Sequence, residues 1–147
     1  MFIDSSAFLA ILGNRSDAAL LVEKIKNSRK PCKTSASVRL DVVMALTESR
    51  ADTRGVSAEA VEQATEIFDN LLQILKVYEV AISPRIAAEG CRLAARFGQQ
   101  ADHPAKLTVQ TCLALAAAES LRLPVLHSNP TIDRITEQDW VAWRTGE

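Results

Sequence analysis

The sequence predicts an α/β fold in three layers, a short central parallel sheet flanked by helices. Three observations carry that expectation. Short buried-looking runs occur at Phe2-Ile3, at residues 32–36, at Val77-Tyr78-Glu79-Val80 and at Pro124-Val125-Leu126-His127. Stretches with apolar residues at helical spacing separate them, and strands separated by helices pair in parallel with both faces of the sheet covered. The length, 147 residues, suits one domain with a real hydrophobic core, so residues 1–147 are expected to fold as a unit.

Phe2 and Ile3 run directly into Asp4-Ser5-Ser6, any of which can cap the helix carrying Ala7, Phe8, Leu9, Ile11 and Leu12. Gly13-Asn14 ends that element. Ser16 opens a second helix with Ala19, Leu20, Val22 and Ile25, which closes before Pro31. After the strand at 32–36, a helical pattern runs from Ser37 to about Arg50, and polar Asp52-Thr53-Arg54-Gly55 breaks it. Ser57 then caps the most regular helix of the chain, with Val61, Ala64, Ile67, Phe68, Leu71, Leu72 and Leu75 on one stripe.

Ser83-Pro84 starts the next helix, with proline in its first turn, and Gly98 stops it. A polar loop at 99–104 leads to an Ala/Leu-rich helix expected from about Ala105 to Leu121. The tail around Trp140-Val141-Ala142 reads as a last short strand.

Composition narrows the functional classes. Hydrophobic residues make up 48% and charged residues 24%, which excludes a disordered chain, and no apolar run approaches the roughly 20 residues of a membrane span. No basic leader precedes the first apolar residues, so a cytoplasmic protein is expected. Cys32, Cys91 and Cys112 are odd in number and far apart, which suggests neither a disulfide framework nor a zinc site. With 17 Lys+Arg against 18 Asp+Glu the net charge is −1, so any nucleic acid must be recognised locally. The densest basic stretch, Lys24 to Lys33, sits where a helix ends, and cations there suit the macrodipole.

The candidate chemistry lies with carboxylates. In parallel α/β sheets the functional crevice opens at the C-terminal ends of the strands, and Asp4 follows the first strand immediately. It reads either as a helix cap or as a metal ligand. Asp41 shares a helical stripe with Val38, Met44 and Ala45, and a carboxylate among apolar residues needs a metal, a basic partner or solvent. His103 and His127 are read as structural, and Trp140 and Trp143 as closing a core or a dimer face.

These residues carry a resemblance. The opening Met-Phe-Ile-Asp-Ser-Ser-Ala-Phe-Leu-Ala-Ile-Leu is similar to that of VapC-type PIN domains, in which the first Asp is a metal ligand and a Ser or Thr two residues on lines the site; Asp4 and Ser6 match. Thr34-Ser35-Ala36 followed by Asp41 resembles the second motif, whose acid is usually Glu. His103-Pro104-Ala105-Lys106-Leu107-Thr108-Val109-Gln110-Thr111-Cys112 resembles the third, with Thr111 at the position of an acid. In the fourth, Asn129 and Thr131 stand where the last acids are expected, and Asp133 follows two residues later.

The resemblance implies a toxin of a type II toxin–antitoxin pair: a ribonuclease using Mg²⁺ or Mn²⁺ held by Asp4 and Asp41, with Ser6, Thr111, Asn129, Thr131 and Asp133 lining the site. Two carboxylates in place of three or four imply weak ion binding. It also implies a homodimer neutralised by a VapB-like antitoxin, with the helix near 57–75 as the place for a partner groove. The missing acids keep a second reading open, a pseudo-nuclease that binds RNA or protein without cleaving.

Overall fold

A computed structural model describes residues 1–51 and 55–147. Four strands, β1 (Phe2–Ile3), β2 (Cys32–Ser35), β3 (Val77–Val80) and β4 (Val125–Leu126), form one sheet in the order β3-β2-β1-β4. Every pairing is parallel, with Phe2 opposite Lys33 and Val125, Ile3 opposite Leu126, and Cys32 opposite Val77. The helices are α1 (Ser5–Leu12), α2 (Ala18–Lys26), α3 (Ala36–Ser49), α4 (Ala58–Leu75), α5 (Pro84–Phe97), α6 (Val109–Ser120) and α7 (Glu137–Thr145). A 3₁₀ turn at Ile132–Arg134 separates β4 from α7. The chain therefore has the expected α/β architecture, a parallel sheet flanked by helices.

Side chains that accept a backbone N–H decide where most helices begin. Asp4, Ser35, Ser57, Ser83, Thr108 and Thr136 each take one within the first turn of the helix that follows. Pro84 occupies the first turn of α5, where its missing N–H leaves nothing unsatisfied. Lys24 and Lys26 lie in the last turn of α2, where cations offset the exposed carbonyls.

Two expectations need correction. The tail is helix rather than strand: Thr136 and Asp139 form a reciprocal capping box, and this local signal overrides the β-propensity of Trp140 and Val141. The Ala/Leu-rich helix begins at Val109 instead of Ala105, because Leu107 is held in a parallel bridge to Gly98 and Thr108 then caps. On α4, Ala64, Phe68, Leu72 and Leu75 are buried, Val61, Ile67 and Leu71 of the same stripe are half-buried, and Ile74 is exposed and lines, with Leu75, a cleft of about 400 Å³. The break expected at residues 52–55 falls on 52–54, outside the described residues, and α3 ends at Ser49.

The core surrounds β1. Phe2, Ile3, Ala7 and Phe8 are fully buried, and the Phe8 ring meets that of Phe68 edge-on with centroids 5.0 Å apart, joining α1 to α4. A second aromatic group, Phe97 with His103 and Trp140, fixes α7 against the end of α5. Arg39 ties three elements together: it bonds both oxygens of Glu79 on β3 and pairs with Asp69 on α4 at 2.6 Å. Cys32 and Cys112 are buried free thiols and Cys91 is exposed on α5; burial pushes the Cys112 thiol up to about 11, which leaves it protonated and inert. Among the described residues, no helix is long and apolar enough to cross a membrane.

Candidate metal site at the end of the first strand

Chain order runs β1, β2, β3 in one direction across the sheet, and β4 then adds on the other side of β1. The topological switch lies between β1 and β4, where crevices open in parallel sheets. Asp4 occupies this point: its N–H donates to Leu126 O at 3.0 Å, and its carboxylate begins α1.

The Asp4 carboxylate is divided between two jobs. Oδ2 accepts the Ser6 N–H at 3.1 Å and the Ser6 hydroxyl at 2.6 Å, which caps the helix. Oδ1 is buried and has no hydrogen-bond partner. An acceptor oxygen sealed from water without a donor is costly, which makes Oδ1 a polar atom in need of a partner. Burial pushes the Asp4 carboxyl above its ordinary value, the Ser6 bonds pull it back, and the negative charge of Asp41 adds to the rise. Asp41, half-buried on α3, is the smallest of these influences on Asp4.

The remaining expected residues are placed less favourably. Thr111 is buried in the first turn of α6, and its hydroxyl bonds that of Thr108 at 2.9 Å. Asn129 Oδ1 accepts both the N–H and the hydroxyl of Thr131, at 3.0 and 2.7 Å, so their polar atoms close on their own turn. Asp133 is exposed and stands 3.7 Å from His127 Nε2. With Asp17, Lys24, Ser128 and Pro130, these two line a cleft of about 440 Å³ beside β4. Among the described residues, no three His, Cys, Asp or Glu side chains converge as a metal cluster.

Two residues not singled out in the sequence join the site. Ser128, after β4, donates its N–H to Ser6 Oγ at 3.0 Å and its hydroxyl to Asp17. That hydroxyl holds the Asp17 carboxyl below the ordinary range. Asp17 precedes α2 at the cap position yet makes no capping bond. Its partner is 111 residues away, which no local pattern announces.

A family model described as "PIN domain" matches residues 1–138. The chain belongs to the PIN domain family. Within it, a VapC ribonuclease of Rhizobium meliloti (strain 1021) is 30% identical over 129 residues, 86% of this chain and 91% of that one. Two solved structures share the PIN fold at 15% identity. Mycobacterium tuberculosis VapC20, described as a Sarcin-Ricin loop cleaving toxin, superposes with a TM-score of 0.57 over 83% of both chains. VapBC2 from Rickettsia felis, bound to a DNA fragment from its promoter, gives 0.61 over 91% of both.

The site fits a hard divalent ion in part. The donor chemistry is right, since Asp4 offers a buried carboxylate oxygen lacking a donor and Asp41 adds charge. The charge is low, because no third carboxylate converges with these two among the described residues.

Proposed function

We propose that this PIN domain is the toxin of a type II toxin–antitoxin pair and a metal-dependent endoribonuclease of reduced activity. The observation that carries the reading is the buried, unpartnered Oδ1 of Asp4 under the influence of Asp41. The likeness to a VapC ribonuclease over most of both chains supports RNA as the substrate. The VapBC2 complex supports a VapB-like antitoxin as partner. On this reading residues 1–147 act as one domain, in a homodimer in the cytoplasm.

Asp4 and Asp41 would hold Mg²⁺ or Mn²⁺. When bound, such an ion supplies positive charge against the phosphodiester and acidifies a water for attack. The protein's own part is to aim and desolvate the Asp4 carboxylate: Ser6 fixes Oδ2, and the walls of the crevice exclude water from Oδ1. With two acids, ion affinity is low and cleavage is slow at limiting metal.

The second reading, a pseudo-nuclease that retains binding without cleavage, is favoured by Thr111 and Thr131. Their hydroxyls are engaged with Thr108 and Asn129, so they are neutral and already partnered.

Mn²⁺-dependent cleavage of a structured RNA pool, measured after removal of any co-purifying partner and beside Asp4→Ala, separates the two. The nuclease reading expects cleavage that Asp4→Ala abolishes. Folded protein that leaves the pool intact at about 10 mM Mn²⁺, roughly tenfold above the weakest carboxylate sites, favours the pseudo-nuclease instead.

A further inference from the structure

We propose that Asp17 is a positioning residue for the Asp4 carboxylate, acting through Ser128 and Ser6 so that Oδ2 stays engaged and Oδ1 is presented to the ion. The inference deepens the metal-site reading above and rests on it for the role of the ion. The positioning itself stands on hydrogen bonds alone.

The direction of each bond follows from the chemistry of its partners. A backbone N–H can only donate, so Ser6 Oγ must accept from Ser128 N–H at 3.0 Å. With a lone pair so occupied, the Ser6 hydroxyl proton is turned toward Asp4 Oδ2, 2.6 Å away. The Ser6 N–H reaches the same oxygen at 3.1 Å. Both donors thus converge on Oδ2 and none on Oδ1, which is the arrangement an ion ligand with one free oxygen requires.

What remains is to hold the Ser128 peptide in place. It lies beyond the last hydrogen-bonded residue of β4, where the sheet no longer fixes it. Its hydroxyl is anchored by Asp17 Oδ2, an ionised acceptor, and charge-assisted bonds of this kind are short and strong. Asp17 stands where a helix cap would be, but its carboxylate leaves the α2 backbone uncapped and reaches the other side of the site instead. The chain of contacts ties the start of α2, which follows no strand, to the turn after β4 and the start of α1, both just beyond the last β1–β4 hydrogen bond, from Asp4 N–H to Leu126 O.

Because the Ser128 hydroxyl first of all needs an acceptor at position 17, and the charge there only strengthens the bond, the variants separate. Asp17→Ala and Ser128→Ala remove the anchor from either end, while Asp17→Asn keeps an oxygen for the Ser128 hydroxyl. Two readouts on metal-free and Mn²⁺-titrated protein decide the matter: hydrogen exchange of the Ser6 and Ser128 amides, and the Mn²⁺ dissociation constant from free-ion electron paramagnetic resonance.

We expect exchange at both amides to rise at least about tenfold in Asp17→Ala and Ser128→Ala, which corresponds to loss of one modest hydrogen bond. Mn²⁺ affinity falls about three- to tenfold in each, the double variant falls no further, and Asp17→Asn recovers most of both. Unchanged amide exchange in the two alanine variants overturns the proposal. So does an Asp17→Asn as impaired as Asp17→Ala, which would make Asp17 a charge or a ligand. If wild-type protein binds no Mn²⁺ while the exchange pattern holds, the positioning stands and the metal reading fails.

Discussion

Asp4 shows how one residue can satisfy two opposing sequence readings. It is the cap of α1 through Oδ2 and a candidate ligand through Oδ1, so the alternatives were never exclusive. Its carboxyl is raised above 3.8 by burial and then by Asp41. The native state therefore holds its proton more tightly than the unfolded chain, and stability falls as pH rises from 3.8 through the raised value, remaining lowered at neutral pH. Asp4→Asn, which keeps the Ser6 bonds and removes the charge, should raise the melting temperature of metal-free protein at neutral pH. The gain should vanish in acid, and Mn²⁺ should stabilise the wild type alone; melting curves at two pH values check this.

Thr111 supplies the converse test. If it stands where the family acid stands, Thr111→Asp should tighten Mn²⁺ binding at least about tenfold, about 1.4 kcal/mol, in a calorimetric titration. An unchanged constant would remove position 111 from the site. Asp4, Ser6 and Asp41 were legible because they sit in compact motifs. Asp17 and Ser128 were not, because their meaning arises only when β4 is laid beside β1.

Among the elements, α7 is the instructive failure. Trp140, Val141 and Ala142 look like strand residues, yet Thr136-Glu137-Gln138-Asp139 already carried a helix start, with both reciprocal bonds formed. Local hydrogen bonding at a terminus outweighed side-chain preference in the middle. Thr136→Ala should destabilise the protein by about 1 kcal/mol at neutral pH. The Thr136 hydroxyl, its N–H and His103 hold the Asp139 carboxyl below 3.8. That contribution is present above 3.8 and fades as pH falls through the depressed value, so the gap between wild type and variant should narrow in acid, leaving the part due to the Asp139 N–H bond to the Thr136 hydroxyl. The four strands were readable because each is a short run between helices, and the late start of α6 was not, because the Gly98–Leu107 bridge joins residues on either side of a polar loop. Of the basic stretch, Lys24 and Lys26 lie in the last turn of α2 as the helix-end reading expects, whereas Lys33 lies in β2.

At the scale of the molecule, the order β3-β2-β1-β4 places the first strand inside the sheet and its C-terminal residue at the switch point. A two-residue strand suffices because Phe2 and Ile3 are buried completely, Phe2 pairs with both neighbouring strands and Ile3 with β4. The alternation of helix and strand was visible in the sequence and implied parallel pairing, but not which strand lies at the edge. That choice follows from packing of side chains far apart in the chain, such as Phe8 against Phe68 and Arg39 against Glu79.

The distribution of thiols has a practical consequence. Cys32 and Cys112 are sealed in the interior, whereas Cys91 faces solvent on α5. A nitroxide reagent would therefore modify the folded molecule at one place without any engineering. Since Mn²⁺ is itself paramagnetic, dipolar spectroscopy between that label and the ion would report where the ion sits, and would do so in a protein whose native sequence had not been touched.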